Sequence, residues 1–333
     1  MLMIYEDTVY GSIPIEEKIL IELMQTKAMG RLKGINQAGP AILIKTNNTL
    51  ASYRTTRFDH SVGVCLLLKK FNASLEEQIA GLLHDISHTV FSHALDFLFN
   101  RNTKHDYHEK FHEKKILNSD IPPILKKHNI DIKNILNIEN FTLLEKELPD
   151  LCADRIDYFL KDMTMYDDVI RKRCKEILDA LTVFNGEFIF KEKEMAKLFA
   201  EKFIEANRRF YCNPYQSTLF KLTSDAIGLA IQKNIIEEPD LFTTDLEVIN
   251  KLNESRDKEI LDMVDKISYL DVIEDEENHD YHLKSKVRCT DPKVLVNNKP
   301  EKLSEIDGDY KKAMNEFITK ASKGFFVRII RKS

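Results

Sequence analysis

The stretch GLLHDISHTVFSH, residues 81–93, decides what kind of fold this chain can form. Its apolar residues recur three and four apart, which is typical of a helix packed against a core. His84 and Asp85 nevertheless stand side by side within the run. A carboxylate buried beside an imidazole costs free energy unless the two groups are paired or bind a metal ion. The stretch therefore predicts either a hydrogen-bonded polar patch on a half-buried helix or a metal site.

The composition is that of a soluble, globular protein with a substantial core. The chain has 333 residues, of which 43% are hydrophobic and 31% are charged. A net charge of −5 gives it no basic field for nucleic acid or for an anionic membrane. No segment reaches the ~20 consecutive apolar residues that a membrane span requires. The five scattered cysteines form no CxxC pair, which predicts free thiols in a cytoplasmic protein.

The spacing of apolar residues predicts a mainly α-helical fold. Only 10 glycines and 9 prolines interrupt the chain, which favours long helices with few breaks. The segment AILIKTNN predicts a short strand or an extended loop. Helices are expected over residues 13–35, 57–99 with a break at 72–74, 150–182 and 192–235.

Short β segments accompany these helices. The sequence TVFNGEFIF places Asn185-Gly186 between two alternating runs, as a type I′ hairpin requires. After a soft boundary near residue 240, KSKVRCTDPKVLV and GFFVRIIRKS are strand-like. We therefore divide the chain into a catalytic helical domain, residues 1–240, and a small mixed α/β C-terminal lobe, residues 241–333.

Two further segments carry polar residues in helical register. In TTRFDHSVGV, Arg57 precedes His60 by three positions. In LCADRIDYFLKD, Asp154, Tyr158 and Asp162 follow one another at intervals of four and share one helix face. Because the opposite face of that helix is apolar, the polar stripe faces either solvent or a cleft, and a tyrosine between two aspartates favours the cleft.

The segments RFDHS, GLLHDISHTVFSH and DRIDYFLKD together resemble the HD-domain phosphohydrolase superfamily, and within it the dNTP triphosphohydrolase branch. The resemblance implies an HD-type helical bundle that binds a divalent metal through residues of three helices. Imidazole and carboxylate ligands suit Mn, Fe, Zn or Ni, with Mg possible on the substrate phosphates. Asp157 competes for the fourth ligand position, and we assign it a capping or salt-bridge role instead. The implied metal ligands are His60, His84, Asp85 and Asp154.

The same resemblance implies a catalytic group and a substrate-binding group. His108 would protonate the leaving group and Asp96 would orient His108. His88 would hold a nucleophile or support the metal ligands, and His93 would anchor its helix. The implied substrate-binding residues are Gln37 at the sugar, Arg57 and Arg155 at the phosphates, Tyr158 and Asp162 at the deoxyribose, and Tyr211 with the weaker match Arg208 in the pocket wall.

Two other His-Asp pairs lie outside any apolar helix. His105-Asp106 is expected to contribute loop polarity, and His279-Asp280 is expected at the surface of a charged linker. Neither pair has a partner motif, so neither is predicted to bind the metal.

The resemblance implies hydrolysis of deoxynucleoside triphosphates to a deoxynucleoside and triphosphate. Two alternatives stay open: an HD phosphodiesterase or nucleotidase acting on other nucleotides, and a nucleotide-binding module without catalysis. The expected partner is a nucleotide substrate, with neither a membrane nor nucleic acid. A homo-oligomer formed through the helices is possible on the same grounds.

Overall fold

Helices make up most of the fold, in a computed structural model that describes residues 2–46 and 48–331. The helices are α1 (Lys18–Met24), α2 (Lys27–Leu32), α3 (Arg57–Lys70), α4 (Leu75–Leu83), α5 (Ala94–Leu98), α6 (His112–Leu117), α7 (Ile121–Lys127), α8 (Ile132–Leu136), α9 (Ala153–Tyr166), α10 (Asp168–Ala180), α11 (Lys193–Ala206), α12 (Pro214–Gln232), α13 (Asp245–Glu254), α14 (Lys258–Ser268), α15 (Leu303–Ile306) and α16 (Gly308–Ala321). The strands are β1 (Met3–Asp7), β2 (Gly11–Ile15), β3 (Leu181–Phe184), β4 (Glu187–Phe190), β5 (Leu270–Glu274), β6 (Tyr281–Leu283), β7 (Lys293–Val296), β8 (Lys299–Lys302) and β9 (Phe325–Arg331). The predicted mainly helical fold is confirmed.

Helix α3 forms the centre of the molecule, with α4 packed on one side and α9 on the other. A capping box fixes its first turn, because Thr56 and Asp59 each accept a hydrogen bond from the other's backbone amide. A glycine allows the close approach of α9: a Cβ at Gly63 would lie 2.1 Å from Asp157 Oδ1. The polar faces of α3 and α9 are thereby brought within hydrogen-bonding distance of each other.

The stretch 84–93 is not helical, and this corrects the prediction of one helix from residue 75 to residue 99. Helix α4 ends at Leu83, and the chain continues through a series of turns until α5 begins. Phe91 and Ser92 have left-handed backbone conformations, with φ of 55° and 49°. Two consecutive non-glycine residues of this kind cannot continue a right-handed helix, so tertiary contacts override the helical pattern.

Those contacts come from two distant parts of the chain. The Arg31 guanidinium donates to the carbonyl oxygens of Ile86 and His88, at 2.8 and 2.9 Å. The Phe91 amide donates to Asp245 Oδ1 at 2.7 Å. The backbone groups that a helix would have satisfied internally are thus bonded to side chains of α2 and α13.

The N-terminal region also differs from its prediction. Residues 13–35 were expected to form one helix, but β1 and β2 pair as an antiparallel hairpin before α1 begins. The chain breaks again between α1 and α2, where Thr26 caps α2 by accepting from the Met29 amide at 3.2 Å. The segment AILIKTNN contributes to a 3₁₀ helix, Gly39–Leu43, rather than to a strand.

The predicted hairpin at Asn185-Gly186 is confirmed, since β3 and β4 pair antiparallel around it with φ of 52° and 75° at the two turn residues. Strand β7 then joins the same sheet in parallel, with Phe190 opposite Val294. Residues beyond the predicted boundary therefore extend a sheet that begins before it, and the division near residue 240 stays a prediction. Among the described residues, no helix is long and apolar enough to cross a membrane.

Candidate active site

The four side chains predicted as metal ligands meet at one point of the helical core. His60 lies on α3, His84 and Asp85 directly follow α4, and Asp154 lies in the first turn of α9. The Nε2 atoms of His60 and His84 lie 2.9 and 3.7 Å from Asp154 Oδ1. Asp85 Oδ1 lies 3.5 Å from His84 Nε2, and Asp85 Oδ2 lies 4.0 Å from His60 Nε2. Two imidazole nitrogens and two carboxylates thus face a common centre.

The opposite nitrogen of each imidazole is held by the protein. His60 Nδ1 pairs with Asp157 Oδ2 at 2.7 Å, and His84 Nδ1 donates to the Gly81 carbonyl at 2.7 Å. Both rings therefore direct Nε2 at the centre, in the tautomer that a bound cation needs. His84 Nε2 is buried and has no hydrogen-bond partner among the described residues. This unsatisfied nitrogen, within a mixed set of nitrogen and oxygen donors, fits a divalent cation.

Asp157 takes the salt-bridge role, one of the two roles expected for it, by pairing with His60 and Lys161. Its carboxylate is fully buried behind His60 instead of capping a helix. Oδ1 accepts from the Tyr10 hydroxyl at 2.9 Å and lies 3.9 Å from Lys161 Nζ. Lys161 in turn donates to Asp7 at 2.5 Å, so the N-terminal hairpin completes the surroundings of a group that orients a ligand.

The charges around the centre favour a cation. Burial raises the pKa of Asp85, but the Arg57 guanidinium and the neighbouring histidines together outweigh burial and hold that pKa well below its usual range. Burial lowers the pKa of His60, yet hydrogen bonds to Asp154 and Asp157 outweigh it and raise the pKa to about 10. Positive charge is therefore stabilised where the ring nitrogens and carboxylates meet, and a bound metal ion would supply that charge in place of a proton.

Arg57, predicted to bind phosphate, lies directly against this centre. Its Nη1 donates to Asp85 Oδ2 at 2.8 Å, and its Nε donates to Ser92 Oγ at 3.0 Å. The Ser92 hydroxyl donates onward to the Asn36 carbonyl at 2.8 Å. The guanidinium is thus fixed at two points while its outer face lines the cavity described below.

Three histidines form a second cluster beside the metal ligands. The rings of His88 and His108 stack with centroids 3.7 Å apart, and His93 meets His88 edge-on at 5.0 Å. The predicted pairing of Asp96 with His108 is corrected, because Asp96 Oδ2 lies 3.0 Å from His93 Nδ1. Asp96 Oδ1 accepts from the Tyr107 amide at 3.0 Å. The carboxylate predicted to orient His108 therefore orients His93, which the sequence suggested only as an anchor.

His105 corrects a second expectation, since it is buried and does not merely make a loop polar. Its side chain is 3% exposed, and its ring stacks on His93 with centroids 4.4 Å apart. Asp106 turns away and pairs with Arg101, as a loop residue does. His279 is exposed against Phe326, which agrees with its expected place at the surface.

A polar pocket of tyrosines surrounds Asp162, the last residue of the predicted stripe. Its two carboxylate oxygens accept from the hydroxyls of Tyr53 at 2.6 Å and Tyr211 at 2.7 Å. The Tyr53 hydroxyl also lies 3.4 Å from Gln37 Oε1, and the Tyr158 ring packs edge-on against Tyr211. Burial raises the pKa of Asp162 to about 6. Tyr53 was not predicted as a site residue, because it lies in a short loop without a motif.

The basic residues near the metal ligands differ in whether their charged groups are already hydrogen-bonded within the protein. Arg155 donates to the carbonyl oxygens of Asp150 and Lys146, so backbone atoms already occupy much of its guanidinium. Lys286 and Arg288 reach the same cavity from the segment that precedes β7. Lys286 and Arg288 are two positions apart in KSKVRCTDPKVLV, so both side chains lie on the same face of an extended chain. The sequence did not indicate that this face lines a cavity.

The exposed sides of the metal site, the histidine cluster and the tyrosine pocket border one cavity of about 950 Å³. This volume lies at the upper end of the range typical of small-molecule sites. Arg208 is not part of its lining and packs over the Phe317 ring. Except for the buried His60 and for Arg208, the residues predicted for metal, substrate or catalysis lie at the cavity or, in the case of Asp96, contact a histidine that does. The lining includes Gln37, Arg57, His84, Asp85, His88, His93, His108, Asp154, Arg155, Tyr158, Asp162 and Tyr211.

Comparison with known proteins identifies the family. The family model named HD domain matches residues 57–162, which carry the four ligand positions. The chain is 37% identical to the uncharacterized protein YdhJ of Bacillus subtilis, over 98% of each chain.

The chain belongs to the HD-domain family of metal-dependent phosphohydrolases.

Three further similarities bear on the HD-domain assignment. The metal-dependent phosphohydrolase cns2 of Cordyceps militaris is 29% identical to this chain, over 88% of this chain and 85% of the cns2 chain. The deoxynucleoside triphosphate triphosphohydrolase SAMHD1 of Danio rerio is 32% identical, but over only 29% of this chain and 17% of its own. A crystal structure of a phosphohydrolase from Bacteroides thetaiotaomicron shares the fold, with a TM-score of 0.67 at 17% identity and full coverage of both chains.

Proposed function

We propose that this HD-domain phosphohydrolase cleaves deoxynucleoside triphosphates to a deoxynucleoside and triphosphate. The observation that carries the proposal is a single cavity that joins the metal ligands to the Tyr53–Asp162–Tyr211 pocket. A nucleotide has the matching parts, with phosphates for one end and a sugar and base for the other. The local similarity to a triphosphohydrolase supports this substrate.

The phosphate end would be organised by the four ligand positions and by Arg57. A divalent cation held by His60, His84, Asp85 and Asp154 supplies Lewis acidity and lowers the pKa of bound water. Arg57 uses Nη1 and Nε for Asp85 and Ser92, which leaves Nη2 for a phosphate oxygen. Because its guanidinium is preset, little reorganisation is needed to stabilise charge on the phosphate.

Proton donation to the leaving oxygen is assigned to His93. Asp96 accepts from Nδ1, which leaves Nε2 as the nitrogen available to the cavity. Burial holds the pKa of His93 well below its usual range, and Arg57 lowers it further. A bound phosphate offsets both effects by adding negative charge, so His93 would take up a proton when substrate arrives. His108, stacked on the neighbouring His88, is the competing donor.

Asp162 and the surrounding aromatic rings would bind the sugar of the nucleotide. A carboxylate that accepts from two tyrosines retains lone pairs for a sugar hydroxyl. The Tyr158 ring closes this pocket on the side of Arg155 and would leave no partner for a ribose 2′-hydroxyl.

A nucleotidase or phosphodiesterase acting on other nucleotides is the second candidate. It is favoured by the bonding of Arg155 to backbone carbonyls, which leaves fewer cations free for the β- and γ-phosphates. The match to the phosphohydrolase cns2 covers most of both chains, whereas the match to the triphosphohydrolase SAMHD1 is short, so the comparisons support phosphohydrolase activity more broadly than they support this one substrate.

The deciding experiment incubates the Mn²⁺-loaded protein with each dNTP, and separately with nucleoside monophosphates, and separates the products by ion exchange. We expect deoxynucleoside plus triphosphate, with activity lost in His84→Ala and strongly reduced in Arg57→Ala. The variants His93→Gln and His108→Gln compare the two possible proton donors, and Arg208→Gln is the control because Arg208 lies outside the cavity. Cleavage of monophosphates with intact dNTPs would exclude the triphosphohydrolase proposal.

Light scattering of the same protein tests the expected homo-oligomer, which stays a prediction.

A further inference from the structure

His105 holds a backbone conformation that its side chain must stabilise. Its φ is 61°, in the left-handed region that costs free energy for a residue with a Cβ. The segment around it, TKHDYH, is polar and would be expected in solvent. Instead the His105 ring is buried against the cavity wall. A strained, buried, polar residue at the edge of an active site suggests a function for the strain.

Contacts on two sides determine the position of the His105 ring. The Arg288 guanidinium donates from Nη2 to His105 Nδ1 at 3.0 Å. Because that nitrogen accepts, the ring carries its proton on Nε2, which is buried and has no partner among the described residues. The Phe220 ring meets His105 edge-on at 6.3 Å. The ring is therefore held by one hydrogen bond, from Arg288, and by packing against Phe220.

The third neighbour of the His105 ring is His93. The two rings are nearly parallel, with an interplanar angle of 29° and centroids 4.4 Å apart. Asp96 holds His93 through Nδ1, at the edge of the same ring. A carboxylate at the edge fixes which way the ring points, but it still allows the ring to tilt about that bond. A parallel ring on the face removes this freedom.

We propose that His105 and Arg288 are positioning residues that hold the His93 ring in the orientation for proton transfer. The inference rests on the proposed role of His93 as proton donor. Arg288 fixes His105, and His105 fixes the face of His93, so the chain beyond residue 241 contributes directly to the proton-transfer geometry. Neither residue needs to touch the substrate for this role.

The test compares two substrates that differ in their need for a proton. A dNTP, or a nucleoside monophosphate, releases an alkoxide oxygen that must be protonated. A p-nitrophenyl ester such as bis(p-nitrophenyl) phosphate releases a phenolate that leaves without a proton. A displaced donor should slow the first reaction by roughly 10- to 100-fold in kcat, and the second by less than about 2-fold.

The variants are Arg288→Met and His105→Asn. Methionine removes the donor but keeps length and packing, and asparagine tolerates the left-handed backbone while removing the ring. The controls are Arg328→Met and His282→Asn, an exposed arginine paired with Asp275 and an exposed histidine on the β6 edge. Thermal melting of each variant checks that the fold persists.

For both variants we expect kcat to fall only with the dNTP or monophosphate, whose leaving oxygen needs a proton. We expect KM to change by less than about 2-fold. Equal losses on both esters, or an Arg288→Met effect confined to KM, would show that Arg288 binds phosphate or supports folding, and would overturn the proposal. Unchanged kcat would overturn it as well. If the unaltered protein cleaves monophosphates and no dNTP, the proposed triphosphohydrolase function is wrong. The roles of His105 and Arg288 can then still be tested by comparing the monophosphate with the aryl ester. If the aryl ester is not cleaved, the split between kcat and KM decides.

Discussion

At the scale of single residues, Asp157 shows how a metal ligand depends on a neighbour that binds no metal. It pairs with His60 Nδ1 at 2.7 Å and so fixes which nitrogen faces the centre. Its negative charge also makes His60 a stronger electron donor. The sequence pattern could not separate Asp154 from Asp157 by chemistry, because both are aspartates of one helix turn, and only the burial of Asp157 behind His60 distinguishes them.

We predict that Asp157→Asn weakens Mn²⁺ binding by about 10- to 100-fold, because the amide lacks the charge that orients and polarises His60. Titration against a fluorescent chelator measures the affinity. Tyr10→Phe is the graded control, since it removes one hydrogen bond to Asp157 but keeps the carboxylate. An Asp157→Asn protein that binds Mn²⁺ as tightly as the unaltered protein would contradict the role assigned to Asp157.

Asp245, which is distant in sequence, supports the turn at residues 84–93 through a hydrogen bond from the Phe91 amide. Burial of its side chain opposes ionisation of the carboxyl group. Burial raises its pKa to about 7, although the amides of Asn36 and Phe91 donate to it. An aspartate in the unfolded chain titrates near pH ~4. Between these values the folded protein binds a proton that the unfolded chain has released, so the contribution of Asp245 to the free energy of unfolding falls as the pH rises.

We therefore expect Asp245→Asn to flatten the pH dependence of stability between pH 4.5 and pH 8. Urea unfolding at several pH values measures the free energy of unfolding, and the difference from the unaltered protein should grow by at least ~1 kcal/mol across this window. The exposed substitution Asp262→Asn is the control. A constant difference across the window would rule out this titration.

At the scale of elements, the packing of α3 against α9 places His60 opposite Asp154 and Asp157. The approach depends on Gly63, where a Cβ would lie 2.1 Å from Asp157 Oδ1 and 2.5 Å from Lys161 Cε. Any side chain at this position would have to separate the two helices that carry the metal ligands.

We predict that Gly63→Ala lowers the free energy of unfolding by about 1–3 kcal/mol, the usual cost of overpacking, and lowers metal affinity too. Gly30→Ala is the matched control, because Gly30 lies in α2 with nothing within 4 Å of an added Cβ. There alanine should stabilise the protein by roughly 0.5–1 kcal/mol through its higher helix propensity. Denaturant unfolding measures both, and equal effects at the two positions would contradict the packing argument.

The sequence predicted elements well where local periodicity and tertiary structure agree. The helix α3 and the Asn185-Gly186 hairpin belong to this class, whereas the single helix predicted over residues 150–182 divides at Asp167 into α9 and α10. The stretch 84–93 does not belong to this class, because its helical pattern yields to bonds from Arg31 and Asp245, which no local rule connects to it. The burial of His105 and the position of Tyr53 in the pocket were not predicted for a similar reason. Each side chain is held by a partner more than 100 residues away in sequence, Arg288 for His105 and Asp162 for Tyr53.

At the scale of the whole molecule, a bound cation would tie together three separate parts of the chain. His60 on α3, His84 and Asp85 after α4, and Asp154 on α9 are brought together only in the folded state. A ligand that binds the folded protein alone stabilises it by mass action.

We predict that Mn²⁺ at 100 times its dissociation constant stabilises the protein by about 2.7 kcal/mol, and that a chelator reverses the effect. Thermal melting with and without EDTA measures the shift in Tm. His84→Ala should melt at a temperature that Mn²⁺ leaves nearly unchanged. A shift of equal size in that variant would mean that the ion acts at some other place.

The position of Lys286 and Arg288 in the chain has a consequence for protein synthesis. The proposed metal ligands all lie within the first 154 residues, whereas these two cavity residues lie in the segment before β7. At ~5–20 residues per second, a ribosome needs roughly 7 to 27 seconds to pass from Asp154 to Arg288. The metal ligands are therefore translated well before one wall of the substrate cavity, and before Asp245, which holds the turn that carries His84 and Asp85. The complete site can form only when nearly the whole chain has been made.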